Sequence, residues 1–162
     1  MLPTIDELKE SGAIFYDFDG VMTDNRVFIT EKGVEAVFCN WSDGLAICEF
    51  RKLGIHQAII STETNPVVAR RAEKLKISVI HKLDSMGTDK GQVLEKYCAD
   101  NEINLQSSIF IGNDINDLPA LNLVGYPCCP ADAYQPIKDI ALWISTKNGG
   151  YGVVRELMDV LL

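Results

Sequence analysis

Ala13 to Asp24 reads AIFYDFDGVMTD: four apolar residues, then two aspartates one residue apart, Asp17 and Asp19, then a glycine. An apolar run closed by a breaker is the pattern of a buried strand whose carboxyl end opens into a loop. In open α/β sheets that end is where ligands bind. Alternate residues of an extended chain point the same way, so Asp17 and Asp19 can face one small volume. Two carboxylates there repel unless a cation lies between them or one keeps its proton. Mg²⁺ takes oxygen ligands and leaves room for phosphate oxygens, so the pair suggests phosphoryl chemistry. Turn residues capping a strand would use the same two aspartates.

The rest of the chain bounds this reading. Its 162 residues suit one domain, 1–162, with a sizeable core, and 47% of them are hydrophobic. No apolar run approaches the length needed to span a bilayer. The opening MLPTIDELKE has acidic residues and no long apolar stretch, which is not the pattern of a secretory signal. A net charge of −8 argues against binding nucleic acid, whose affinity comes largely from Lys and Arg on phosphates. It leaves room for a small anion, because a metal and a few placed cations reverse the local field. Five cysteines, Cys39, Cys48, Cys98, Cys128 and Cys129, show no C-x-x-C spacing. They are expected as small buried hydrophobes in a reducing, cytoplasmic compartment.

Taken in order, Thr4 to Glu7 has the form of a capping box, predicting a short helix before the first strand. Arg26 to Phe38 alternates apolar and polar residues around Glu31-Lys32-Gly33, which predicts a hairpin. A lone hairpin is marginal in water, so this one should pack on something, such as another subunit. Ser42 is expected to cap a helix ended by Gly54, and Asn65-Pro66 to start another. Strands are expected over 55–60, 78–80, 108–111, 126–129 and 142–144. Helices are expected over 89–98 and 118–123 and from Val153 to Leu162. Strands alternating with helices imply an α/β fold, a parallel sheet with helices on both faces.

Three loops after separate strands bear on Asp17 and Asp19. Ser61-Thr62-Glu63 follows the second strand, and a hydroxyl there can donate to a phosphoryl oxygen or serve as a helix cap. Lys90, in TDKG, sits at a helix start, where positive charge is electrostatically odd. An anion bound jointly by Lys90 and the helix end would explain it, as would a surface ion pair with a neighbouring Asp. GNDIND, Gly112 to Asp117, brings two carboxylates and two asparagines to a strand end, a set that suits a hard cation.

With these segments in place the chain resembles the haloacid dehalogenase superfamily of phosphohydrolases. It is most similar to the capless group acting on 3-deoxy-octulosonate 8-phosphate or sialic-acid-like nonulosonate 9-phosphates. The supporting segments are DFDGVMTD, NWSDGLAI, RRAEKLKI, TDKG, GNDIND, PADA and NGGYGVVREL. The resemblance implies a Rossmann-like sheet and a β-hairpin in place of a cap, assembling a homotetramer through residues 26–38. It implies Asp17 as nucleophile, Asp19 as general acid and base, and Ser61 and Lys90 as holders of the phosphoryl group. It places Ser61, Thr62, Glu63, Arg71 and Lys90 on the substrate. Mg²⁺ is to be held by Asp17, Asp19 and the GNDIND loop through Asn113, Asp114 and Asp117.

Two positions depart from the family pattern. Asn113 stands where members commonly carry Asp, and Tyr151 stands where octulosonate phosphatases tend to have a basic residue. Thr62-Glu63 replaces the Gly-Arg typical of the octulosonate branch, which leans the expected substrate toward nine carbons. A neutral ligand at 113 also motivates a second expectation. The fold would then serve as a catalytically weak assembly domain, like the phosphatase-like domain of animal sialic-acid cytidylyltransferases.

Overall fold

The computed structural model describes residues 1–62, 66–81 and 89–162. Strand β1 (Ala13–Tyr16) is buried along its whole length because it has a hydrogen-bonded neighbour on each side and helices on each face. Around it the chain forms a hairpin of β2 (Phe28–Ile29) and β3 (Glu35–Ala36), then β4 (His56–Ser61), β5 (Ser78–His81), β6 (Ile109–Ile111), β7 (Tyr126–Cys129) and β8 (Trp143–Ile144). The helices are α1 (Ile5–Glu10), α2 (Trp41–Lys52), α3 (Pro66–Leu75), α4 (Lys90–Asp100), α5 (Leu118–Leu121), α6 (Gln135–Ile140) and α7 (Val153–Leu161).

Six strands form one sheet in the order β5-β4-β1-β6-β7-β8, with every pairing parallel. The period of two in β1 divides the core. Ile14 and Tyr16 face a layer built from α1, α2, α3 and α7, whereas Ala13 and Phe15 face α4, α5 and α6. Each layer has its own apolar cluster, so strands that must be apolar on both faces read as continuous hydrophobic runs. Because the sheet is parallel, the carboxyl ends of β1, β4 and β6 lie side by side along one edge. The chain leaves β1 toward β4 on one side and β6 on the other, which makes that edge a topological switch point.

The expected α/β architecture is what the chain adopts. The Thr4 capping box forms, with the Thr4 side chain accepting from Glu7 N and the Glu7 carboxylate accepting from Thr4 N. Helix α2 differs in its cap: Asn40, not Ser42, holds its start, accepting from Ser42 N at 2.9 Å and Ser42 Oγ at 2.7 Å. Helix α6 had no sequence signal, since six residues are too few to display a helical period. Of the cysteines, Cys98, Cys128 and Cys129 are buried, while Cys39 and Cys48 are only half-buried; all five thiols are free. Among the described residues no helix is long and apolar enough to cross a membrane.

The hairpin pairs Phe28 with Ala36 and Ile29 with Glu35, closing through Gly33 in a left-handed conformation. Val27, Phe28, Ile29, Val34 and Phe38 are all exposed on it. These side chains stand clear of the described core on both sides of the hairpin, whereas Val37 packs against the core.

Candidate active site

Asp17 follows β1 directly, and its backbone N donates to Ile111 O at 2.9 Å, so the β1–β6 pairing continues into the loop. That bond fixes the carboxylate at the sheet edge, almost fully buried. Lys90 enters from α4 as its first residue. Its Nζ donates to Asp17 Oδ1 and to Asp117 Oδ1, both at 2.6 Å, and its side chain is buried between them. Burial opposes the Lys90 charge, but Asp17 and Asp117 outweigh it and the pKa is raised. Asp17 is pushed up to about 7, first by burial and then by Asp117, with Lys90 opposing both. The sequence oddity of a lysine at a helix start is thus resolved by two buried carboxylates.

Asp117, expected among the metal ligands, is engaged on both of its oxygens by other groups. Oδ1 accepts from Lys90, and Oδ2 accepts from Asn113 N at 2.8 Å and Asp114 N at 3.2 Å. With both oxygens engaged, Asp117 fastens the GNDIND loop to Lys90. Asp114 Oδ1 accepts from Ile115 N at 2.6 Å and starts the 3₁₀ turn Ile115–Asp117.

Asn113, buried, reaches from the end of β6 toward β1. One end of its amide lies 2.9 Å from the Asp19 carbonyl oxygen and 3.1 Å from Asp17 Oδ2. The amide nitrogen turned that way donates to both; the amide oxygen turned that way completes a group of three oxygens. Neighbouring oxygens around octahedral Mg²⁺, at about 2.1 Å from the ion, stand about 3 Å apart. The spacing and hardness of these donors therefore fit Mg²⁺. Room for the amide depends on Gly20, which has a φ of +88° and whose absent Cβ would stand 2.1 Å from the Asn113 nitrogen. A side chain there would be strained and would displace the amide.

The loop after β1 is held by its own threonine and by the chain's last loop. Thr23, fully buried, accepts from Gly20 N at 3.2 Å, and its hydroxyl lies 3.4 Å from Asp19 Oδ1. Gly149, in NGGYG, packs so closely that a Cβ would lie 2.0 Å from Gly20 O. Gly150 N donates to Val21 O at 2.9 Å. Thr23 belongs to DFDGVMTD, the segment read at the site from the start; the two glycines were not expected there, and their signal was only the density of glycine in NGGYG.

Two adjoining clefts open here. The smaller, about 120 Å³, is lined by Asp17, Asp19, Ser61, Thr62, Asn113 and Asp114, together with Asn116 of the GNDIND loop and Asn25, the one that sequence reasoning missed. The larger, about 320 Å³, runs beneath the hairpin and the start of α3, and shares Asp19 and Asn25 with the first. Ser61 ends β4 and is buried at the small cleft. Arg71 lines neither cleft: its Nη2 donates to Asn40 O at 3.0 Å, against the start of α2. Glu63, the Asn65 cap and Thr88 lie outside the described residues.

A parallel sheet that gathers paired aspartates, a hydroxyl and a buried lysine at its switch point has the groups that hydrolysis of a phosphate ester calls for. The chain belongs to the haloacid dehalogenase-like hydrolases, whose sequence profile matches residues 57–157. It is 30% identical to the 3-deoxy-D-manno-octulosonate 8-phosphate phosphatase of Haemophilus influenzae, over 96% of this chain and 85% of that protein. A Streptomyces avermitilis structure described as a HAD family hydrolase superposes with a TM-score of 0.90 at 41% identity, covering 98% of this chain and 93% of the other. The octulosonate 8-phosphate phosphatase of Moraxella catarrhalis, solved with magnesium, phosphate and the sugar acid, gives 0.88 at 28% identity, covering 98% and 89%. The chain also spans a third of the N-acylneuraminate cytidylyltransferase A of Danio rerio, at 26% identity over 88% of its own length.

Proposed function

We propose that this phosphatase, a single domain, hydrolyses a phosphorylated 3-deoxy-2-ulosonic acid, an octulosonate 8-phosphate or nonulosonate 9-phosphate, through an aspartyl-phosphate. The observation that carries the reading is the buried Asp17 held by Lys90 at 2.6 Å on the wall of a cleft shared with Asp19, Ser61 and Asn113. The phosphatases among its relatives support the substrate class.

Asp17 attacks phosphorus while the ester oxygen departs on the opposite side. Asp19, at the junction of the two clefts, gives its proton to the leaving alkoxide and then takes one from the attacking water. Hydrolysis of the aspartyl-phosphate frees Asp17 and inorganic phosphate. Lys90 balances negative charge on Asp17, and the Ser61 hydroxyl donates to a phosphoryl oxygen. Asp17, the Asp19 carbonyl, Asn113 and Asp114 are the residues that would hold Mg²⁺. When bound, it supplies positive charge that offsets the charge on the transferring phosphoryl group. Asp117 acts through Lys90.

The exposed apolar hairpin supports a homotetramer in which a neighbouring subunit covers the larger cleft. Five free thiols support a reducing, cytoplasmic setting. The test is phosphate release over a panel of sugar-acid phosphates with and without Mg²⁺, using the native chain and Asp17→Asn. Metal-dependent release by the native chain alone is expected; full activity of Asp17→Asn would remove the covalent mechanism.

A second reading, the weakly catalytic assembly domain, is favoured by the neutral Asn113 and by the match to one third of a cytidylyltransferase. It requires no phosphate release from the native chain at any Mg²⁺ concentration, together with an intact oligomer.

A further inference from the structure

Among the described residues lining the two clefts, Arg26 is the only cation; the other charged ones, Asp17, Asp19, Asp114 and Glu35, are acidic. Its guanidinium, largely exposed, is paired with Asp24. Arg26 N donates to Asp24 Oδ1 at 3.2 Å, and Nε and Nη2 donate to Asp24 Oδ2 at 2.9 and 2.6 Å. Asp24 thereby engages two of the five guanidinium N–H groups. The edge that carries the rest is a planar fork suited to a second carboxylate. Asn25 sets the direction. It holds a left-handed backbone, φ +63°, which Asn tolerates better than most residues, and its N donates to the hydroxyl of Thr23 at 3.3 Å. It lines both clefts, so the turn that anchors Arg26 is also the boundary between the small cleft and the large one.

We propose that the larger cleft is the subsite for the part of the substrate remote from the phosphate, and that Arg26 is the specificity residue that reads its carboxylate. The proposal rests on the phosphatase reading for the placement of the phosphoryl group in the smaller cleft. A phosphate ester with a carboxylate at its far end then spans both clefts, with phosphate beside Asp17 and carboxylate on Arg26. An ester ending in an alcohol fills the same volume but leaves the outer edge of Arg26 without an anion. Arg26 takes no part in bond making, so its effect falls on binding and on KM rather than on kcat.

The experiment compares 3-deoxy-octulosonate 8-phosphate with its counterpart carrying a hydroxymethyl group in place of the carboxylate. Dissociation constants are measured by calorimetry, and kcat/KM where turnover is seen, for the native chain, Arg26→Gln and Arg26→Lys. The native chain should prefer the acid by about tenfold or more, as for a hydrogen bond to a charged group. Arg26→Gln should lose that preference, and Arg26→Lys should regain part of it. A native chain that binds both ligands equally, or neither, overturns the proposal, as does an Arg26→Gln protein that keeps the preference. Absence of turnover with the binding preference intact counts against the phosphatase reading and leaves the carboxylate subsite standing.

Discussion

Lys90 Nζ stands 2.6 Å from Asp17 Oδ1 and bridges it to Asp117, across separations of 73 and 27 residues in the chain. A lysine so buried is tolerated only because two carboxylates share its charge. Lys90→Met keeps the volume and removes the cation. It should destabilise the fold by about 3–5 kcal/mol at neutral pH, the usual cost of leaving buried partners unpaired. Urea denaturation measures this, and turnover should fall with it even in the folded fraction. Native-like turnover in Lys90→Met would remove Lys90 from the reaction.

Asn113 offers an amide where an additional carboxylate would bind a hard cation more strongly. Asn113→Asp should tighten Mg²⁺, each tenfold corresponding to about 1.4 kcal/mol. Turnover at saturating Mg²⁺ should change little if, as proposed, Asp17 and Asp19 make and break the bonds. The check is phosphate release titrated with Mg²⁺ for both proteins. Activity appearing only in Asn113→Asp would favour the assembly-domain reading.

Asp43, from α2, accepts from Arg155 N at 3.0 Å and so caps α7, whose Gly152 supplies no side-chain cap. Its Oδ2 is buried without a partner among the described residues. Burial pushes the Asp43 pKa up to about 6, against the opposing backbone bonds and Arg71. A folded-state pKa above the unfolded value means that the folded form holds the proton more tightly. Stability from this group is therefore present at low pH and lost as pH rises from about 4 through about 6. The loss is about 3 kcal/mol for a shift of about two units. Asp43→Asn should lack that slope. Urea midpoints from pH 4 to 7 would show it, and parallel curves for the two proteins would contradict it.

Phe28 and Ile29, on opposite sides of one hairpin strand, are 63% and 58% exposed. Light scattering should find the native chain larger than a monomer, and Phe28→Asp with Ile29→Asp should return it to one. A monomeric native chain would end the assembly proposal.

The sequence by itself determined the sheet and the place of the chemistry. AIFY, closed by a glycine, reads as a strand buried on both faces, and a carboxylate at the end of such a strand lies at the sheet's carboxyl edge. Lys90 was legible through its misfit with the helix end, and Asn113 through GNDIND. Local rules reach that far because strand period and helix charge preference act over a few residues.

Only the tertiary structure decided which way each side chain turned. Asp114 and Asp117 look alike in GNDIND, yet Asp117 is drawn onto Lys90 and two backbone N–H groups, while Asp114 faces the cleft. Arg71 was expected on the substrate, and Arg26 only as the first residue of the hairpin. The first turns to the Asn40 carbonyl at the start of α2, and the second reaches the cleft because Asp24 holds it there. These outcomes depend on partners brought together from distant parts of the chain by the packing of separate elements. Where the charge is buried, as in Asp117 and Lys90, it goes to whichever opposite charge or polar group the fold places within hydrogen-bond reach, because leaving it unpaired costs about 3–5 kcal/mol.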